Sequence, residues 1–238
     1  MIMFELSVMN TAIIVAAGQG KRFGSKKPKQ FLEIHGKPLI IHTLQKFDDC
    51  PAIDEIILVL SFDKIETFNQ TIAKFNIKKL TKIVAGGKSR AESVLNGLKS
   101  IDNQVEIVAV HDGARPLVSV EEISQTVKRA KETGAACLVA RVTDTIKEVK
   151  DEKIVKTIDR SKLRRALTPQ CFRYEILKRV FAENVINETI TDECSLAEKL
   201  GIEISIVEGS TQNIKITTPE DLIFARDLLK EQTEIPNV

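Results

Sequence analysis

The residues best equipped for chemistry in this chain are lysines, arginines and aspartates set beside glycines, and the chemistry they suit is the handling of phosphate. Ala16-Ala17-Gly18-Gln19-Gly20-Lys21-Arg22-Phe23-Gly24 directly follows an apolar run. Small residues there let backbone amides approach a phosphate without side-chain clash, and the basic pair neutralises its charge. It is not a Walker A loop, because the five-residue step from Gly18 lands on Phe23. A dinucleotide fingerprint also fails, since the third glycine comes one residue late at Gly24. A plain structural turn is the competing reading. Close behind comes Lys26-Lys27-Pro28-Lys29-Gln30-Phe31. Lys26 and Lys27 read as a solvated charged face, whereas Lys29, beside Pro28, sits at a fixed point of a loop and could present a single ammonium to a triphosphate.

Gly86-Gly87-Lys88-Ser89-Arg90-Ala91-Glu92-Ser93 mimics the second half of a P-loop, but the required upstream glycine would fall on Lys82. A helix N-terminus behind two glycines still suits a base or phosphate contact. A well-made helix cap explains Ser89 and Glu92 but leaves Arg90 unexplained. His111-Asp112-Gly113-Ala114-Arg115-Pro116 sits at the carboxyl end of another apolar run. Ligands of open α/β sheets bind at such ends, so Asp112 and Arg115 are placed for a metal-phosphate and an anionic group, with a structural Asp–Arg pair as the alternative. Thr145, Asp159-Arg160, Thr168-Pro169-Gln170, Thr191-Asp192-Glu193 and Asn213-Ile214-Lys215 each read alone as unremarkable surface.

The elements that must position these groups are legible from apolar spacing. Thr11 to Ala17, Glu55–Leu60, Lys82–Ala85 and Val105–Val110 are continuous apolar runs, as in strands buried on both faces, and segments of helical spacing separate them. That alternation predicts βαβ units and a mostly parallel sheet. Ser89 with Glu92 and Ser119 with Glu122 make the S-x-x-E pattern of helix starts, Thr218-Pro219 opens a last helix, and Gly201 closes one ending at Leu200. Val142 to Ile158 breaks the pattern: it is β-rich, charged and polar at Lys150–Lys153, and reads as a hairpin. A lone ribbon is marginal in water, so Ile146, Val149, Ile154 and Ile158 must pack on something else, either a second subunit or the ribbon's own domain.

Composition sets the outer bounds. The chain has 238 residues, 43% apolar and 29% charged, which suits one folded domain. Thirty-five Lys and Arg against 33 Asp and Glu leave +2, too balanced for a single strongly basic nucleic-acid-binding face. No apolar run approaches the roughly 18 residues of a membrane span, and MIMFELSVMN lacks a signal's basic start, so a soluble, cytoplasmic protein is expected. Cys50, Cys137, Cys171 and Cys194 form no CxxC pair and read as buried free thiols; His35, His42 and His111 form no HExxH. Metal chemistry through His is not expected.

Taken in order, AAGQGKRFG, PKQF, GGKSRAESV, HDGARP, TDTIK, TIDR, LTPQ, ITDE and NIKITTPEDL resemble one family, the 2-C-methyl-D-erythritol 4-phosphate cytidylyltransferases of the non-mevalonate isoprenoid pathway. The resemblance runs from Thr11 to about Leu229 and leaves out Met1–Asn10, with Met9 an alternative start. It implies a Rossmann-like nucleotidyltransferase fold over residues 1–238: a mixed, mostly parallel sheet with helices on both faces. A β-arm at about 138–162 would cross to the partner in a homodimer. The implied reaction is attack of the substrate's phosphate oxygen on the α-phosphorus of CTP, with Mg²⁺ bound mainly through the CTP phosphates.

Carried over by motif, Arg22 and Lys29 would stabilise the transition state, and Arg160, from the partner's arm, and Lys215 would orient the attacking phosphate. Ala16, Ala17, Gly18, Gly87, Lys88 and Ser93 would hold the cytidine, while Gly20 and Arg90 support the triphosphate or its loop. Asp112, Arg115, Thr145, Thr168 and Thr191 match the positions that hold methylerythritol phosphate. Gly113 departs from the family's usual Ala, and Lys88 occupies a variable base-contacting position. The related ribitol 5-phosphate cytidylyltransferases usually carry HDAVRPF-like and RNET-like motifs, against Ala114, Leu117 and Arg90-Ala91-Glu92-Ser93 here. An NAD-linked oxidoreductase is disfavoured by the late glycine. A non-catalytic nucleotide sensor is disfavoured by Arg22 and Lys29, cations useful only in a transition state.

Overall fold

The computed structural model describes residues 8–18, 23, 28–102, 104–183 and 190–234. In chain order the elements are β1 (Met9–Ala16), β2 (Glu33–Ile34), β3 (Lys37–Pro38), α1 (Leu39–Asp48), β4 (Glu55–Leu60), α2 (Ile65–Ile72), β5 (Leu80–Ala85), α3 (Arg90–Lys99), β6 (Val105–Asp112), α4 (Val120–Thr133), β7 (Ala135–Arg141), β8 (Ile146–Lys150), β9 (Lys153–Ile158), β10 (Arg164–Arg173), α5 (Tyr174–Glu183), α6 (Glu193–Lys199), β11 (Ser205–Glu208) and α7 (Pro219–Glu234). Seven strands form one sheet in the order β11-β7-β10-β6-β1-β4-β5. β1 pairs parallel with β4 and β6, and β5 extends the parallel half beyond β4. β10 runs antiparallel between β6 and β7, and β11 returns parallel to β7 at the far edge.

Successive residues of the central strands face opposite sides, which is why their apolar runs are unbroken. Ile14 and Leu58 pack under α1 and α4 on one face, with Ile41, Leu44, Ile123 and Val127. Ile13, Val59 and Val108 pack on the other with Val94 of α3 and Leu177 and Val180 of α5. A smaller cluster joins Leu39, Ala114 and Ile216 to Ala225 and Leu229 of α7. All four cysteines are buried and free.

Helix starts follow the S-x-x-E spacing, with one difference. At α4, Ser119 Oγ accepts from Glu122 N at 3.0 Å and Glu122 Oε2 accepts from Ser119 N at 2.8 Å, a full reciprocal box. At α3, Ser89 Oγ accepts from Glu92 N at 3.1 Å, but the Glu92 carboxylate accepts from Lys88 N instead, at 2.7 Å. The second acceptor is thereby spent on the glycine-rich loop. Gly201 takes the left-handed conformation expected of it, φ +68°.

The expected hairpin is present as a separate two-stranded ribbon, β8 with β9, turning at Asp151-Glu152 with φ of +48° and +60°. Positive φ at both turn positions is the twist-matched two-residue hairpin geometry. Leu138–Arg141, placed in the arm by the sequence reading, belong instead to β7 of the central sheet, because that apolar run is buried between β10 and β11. Val149 and Ile154 are cross-strand partners and stand 59% and 66% exposed, so within one chain the ribbon does not fold back to bury them.

Candidate active site

The carboxyl ends of β1, β4, β5 and β6 open on a cavity of about 900 Å³. After β1 the chain passes through Ala17 and Gly18, whose path is held by the buried Gln30: its Nε2 donates to Ala16 O at 2.8 Å and to Gly18 O at 3.3 Å. Gln30 lies in the short helical turn Lys29–Phe31, so Lys29 is set at the cavity wall. Lys29 Nζ donates to Ile216 O at 2.5 Å, joining that wall to the segment before α7.

After β5, Gly86 permits a close approach that no side chain would allow. A Cβ there would meet Ala17 Cβ at 2.3 Å and Ser93 Oγ at 2.9 Å. The loops after β1 and β5 therefore share one wall. Gly87 N donates to Ser93 Oγ at 3.1 Å, and Ser93 Oγ donates to Ser89 O at 2.8 Å, so the Ser93 hydroxyl of α3 is turned into the loop.

After β6, Asp112 gathers charge. Its Oδ1 lies 2.9 Å from Arg90 Nε, and its Oδ2 lies 3.3 Å from Arg115 Nε and 3.0 Å from Lys215 Nζ. Arg90 Nη1 also meets Glu193 Oε1 at 2.6 Å. Burial alone would raise the Asp112 carboxyl, but Arg90, Lys215 and Arg115 hold it well below the usual carboxylate range. Glu193 is raised instead, by full burial that Arg90 only partly offsets. Its Oε2 has no hydrogen-bond partner. Burial also depresses Arg115, with Arg90 pushing the same way against Asp112. Three cations against two carboxylates leave one net positive charge, and Lys29, which also lines the cavity, adds a second. A low-dielectric pocket of that sign suits a phosphate.

The floor is a relay of neutral groups. Asp112 N donates to Thr168 Oγ1 at 3.2 Å, and Thr168 Oγ1 lies 2.9 Å from His111 Nδ1. His111 Nε2 faces Arg115 O at 3.2 Å. A carbonyl can only accept, so the proton sits on Nε2 and the Thr168 hydroxyl donates to Nδ1. Burial drops the His111 pKa to about 3, which keeps the ring neutral. Asn213, also buried, donates to Thr168 O at 3.1 Å and accepts from Arg115 Nη1 through its backbone carbonyl at 2.8 Å.

Comparison with known proteins bears on what this geometry serves. The model of the 2-C-methyl-D-erythritol 4-phosphate cytidylyltransferase family matches residues 10–231. The chain belongs to this family. A relative of that name from Clostridium botulinum (strain 657 / Type Ba4) is 44% identical, with 94% of this chain and 99% of the relative covered. One from Bacillus velezensis is 45% identical, covering 95% and 98%. The solved 4-diphosphocytidyl-2C-methyl-D-erythritol synthase of Anaerococcus prevotii superposes with a TM-score of 0.81 at 29% identity, covering 94% of this chain and 96% of that one. The Francisella tularensis cytidylyltransferase gives 0.75 at 34%, covering 91% and 98%.

Of the residues that the family resemblance singles out, Ala16, Ala17, Gly18, Lys29, Gly87, Lys88, Arg90, Ser93, Asp112 and Lys215 line the one cavity. Arg115 adjoins it through Asp112, and Thr168 lies beneath as a buried prop. Thr145, Arg160 and Thr191 are exposed and do not line it; Arg160 Nη1 donates to Thr143 O. Gly20, Arg22, Gly24, Lys26 and Lys27 lie outside the described residues. Sequence reasoning assigned no role to Gln30, Glu193, Asn213 or Phe62. The first three stood inside the motifs PKQF, ITDE and NIKITTPEDL, but residue type does not tell which way a side chain points. Phe62 carried no signal at all.

Proposed function

We propose that this protein transfers CMP from CTP to 2-C-methyl-D-erythritol 4-phosphate, giving 4-diphosphocytidyl-2-C-methyl-D-erythritol and pyrophosphate. The observation that carries the reading is one cavity with two chemically different walls: backbone and hydroxyl groups at Gly86, Gly87 and Ser93 for a nucleoside, and the cations gathered on Asp112 for phosphate. A phosphate oxygen of the substrate bonds to the α-phosphorus while the bond from that phosphorus to the bridging oxygen of the β-phosphate breaks. The electron pair leaves with pyrophosphate, and no protein nucleophile is involved. Catalysis then rests on positioning and on cations placed where negative charge develops.

Lys29 and Arg22 meet the α-phosphate in this reading. Lys215, held 3.0 Å from Asp112, orients the attacking phosphate together with Arg160 of a second subunit. Arg160 is exposed beside the ribbon, and the ribbon's apolar pair Val149 and Ile154 is uncovered in one chain, which supports a homodimer whose arm completes the partner's site. Among the described residues no group of three or more His, Cys, Asp or Glu side chains could hold a metal ion, and Asp112 is already opposed by three cations. In this reading Mg²⁺ would come bound to the triphosphate and screen its charge. The buried free thiols fit a reducing, cytoplasmic setting; among the described residues no helix is long and apolar enough to cross a membrane.

The test is pyrophosphate release with CTP and Mg²⁺, run in parallel with methylerythritol 4-phosphate and ribitol 5-phosphate. Release with the first alone is the expected result. Release with ribitol 5-phosphate alone would overturn the substrate, and silence with both in a protein that binds CTP would overturn transfer itself.

A further inference from the structure

Phe62 is 81% exposed, whereas Phe47, Phe68 and Phe172 are fully buried and Phe181 is 5% exposed. Its place follows from strand order. β4 lies between β1 and β5 in the sheet, so Ser61 and Phe62 leave its carboxyl end between the loop Ala17-Gly18 and the loop Gly86-Gly87. The anchor is short: Gly86 N donates to Leu60 O at 2.7 Å, which ties the root of this segment to the glycine pair. Among the described residues lining the 900 Å³ cavity, Phe62 is the only aromatic side chain. It also borders a second, shallower hollow of about 590 Å³ with Asp63, Ile65, Glu66, Asn69 and Gln70, so the ring has room on either side.

We infer that Phe62 is a nucleobase-binding residue: its ring turns over the cavity and stacks on the face of the pyrimidine whose edge is met by the Ala17-Gly18 and Gly86-Gly87 backbones. This rests on the nucleotide reading of the cavity given above. A phenyl ring left in water forfeits its burial until a flat, π-faced ligand covers it, and a base supplies that face. Backbone groups read an edge, but they leave the two faces of the base unguarded. Ser61 and the glycines offer no side chain wide enough to cover one, and Phe62 does. The triphosphate, bound toward Lys29 and the Asp112 cations, gains nothing from the ring, so the effect is confined to the base.

The chain has no tryptophan, so Phe62→Trp installs a sole indole reporter at the site. CTP is expected to quench its emission saturably, while inorganic triphosphate at its own saturating concentration leaves it unchanged. Phe62→Ala is expected to raise the KM for CTP roughly 5- to 20-fold, the lower part of what base–aromatic stacking yields, with kcat within about twofold of wild type. Phe62→Tyr, which keeps the ring, should restore the wild-type KM, and inhibition by inorganic triphosphate should be equal in all three proteins. An unchanged KM in Phe62→Ala, or emission unmoved by saturating CTP in an active Phe62→Trp enzyme, overturns the inference while leaving CMP transfer intact. Quenching by CTP in a protein that transfers no CMP would leave stacking standing and remove the catalytic reading instead.

Discussion

Lys29 carries two duties, and one substitution removes both. Its ammonium donates to Ile216 O, and it is one of the cations lining the cavity. Removing a preorganised donor that meets developing charge costs about 10²–10³ in turnover. Lys29→Ala is expected to lose that much kcat with its thermal midpoint nearly unchanged; turnover at the wild-type level would remove Lys29 from the chemistry. His111 makes a prediction of the opposite kind, on stability. Burial holds its pKa near 3, whereas an unfolded chain takes up that proton at about 6.5. Between those values the unfolded state binds more protons, so stability falls as pH drops from about 6.5 toward 3, at roughly 1.4 kcal/mol per pH unit. Glu193, raised by its own burial, acts in the other direction over part of that range. The comparison of wild type with His111→Gln isolates the imidazole: in urea melts at pH 7 and pH 4.5 the wild type should lose stability more steeply, and parallel losses would refute the assignment.

At the scale of elements, two helices with the same S-x-x-E start are used differently. α4 closes its box on itself, with the other Glu122 oxygen accepting from Ser210 N at 2.6 Å and no α4 residue lining the cavity, while α3 spends its Glu92 on Lys88 N and so holds the glycine loop. Ser119→Ala should therefore cost about 1 kcal/mol, read as a lower denaturation midpoint, with kcat and both KM values unchanged. A fall in activity at full folding would show that α4 reaches the site. The same scale explains what was legible. The parallel half of the sheet announces itself because β1, β4 and β6 are buried on both faces and carry uninterrupted apolar runs. β10 does not: Arg164 and Arg165 open it, Pro169 interrupts it, and a register shift between Ala166 and Gln170 hides its alternation. Thr168, Pro169 and Gln170 thus read as surface although they are buried in β10, between β6 and β7. Tertiary pairing, absent from local spacing, put them there. Lys215 and Asp112 were each visible by type and motif, but their 3.0 Å contact joins residues about a hundred positions apart, a distance no spacing rule spans.

The whole molecule has one feature that a single chain leaves unfinished. The ribbon projects Val149, Ile154 and Val155 into solvent, and Arg160 follows at its base. If the arm completes a neighbour's site, Arg160→Ala and Lys29→Ala homodimers are each impaired, but mixing them creates hybrids in which one of two sites has both residues. Recovery of about a quarter of the wild-type rate is expected for random exchange at equal amounts, because half of the dimers are hybrid and each has one sound site. No recovery after demonstrated subunit exchange would place Arg160 in its own chain's chemistry or outside it. The charge set around Asp112 bears on how such a molecule can change over generations. Arg90 and Arg115 face Asp112 and Glu193 with all four side chains 18% exposed or less, and removing one member of a buried pair costs about 3–5 kcal/mol. That is a large share of a domain's total stability. A lineage leaving this arrangement therefore meets a valley at every single step and crosses it only by two coordinated replacements, so the site is held in place by the fold's own thermodynamics before selection on catalysis is counted.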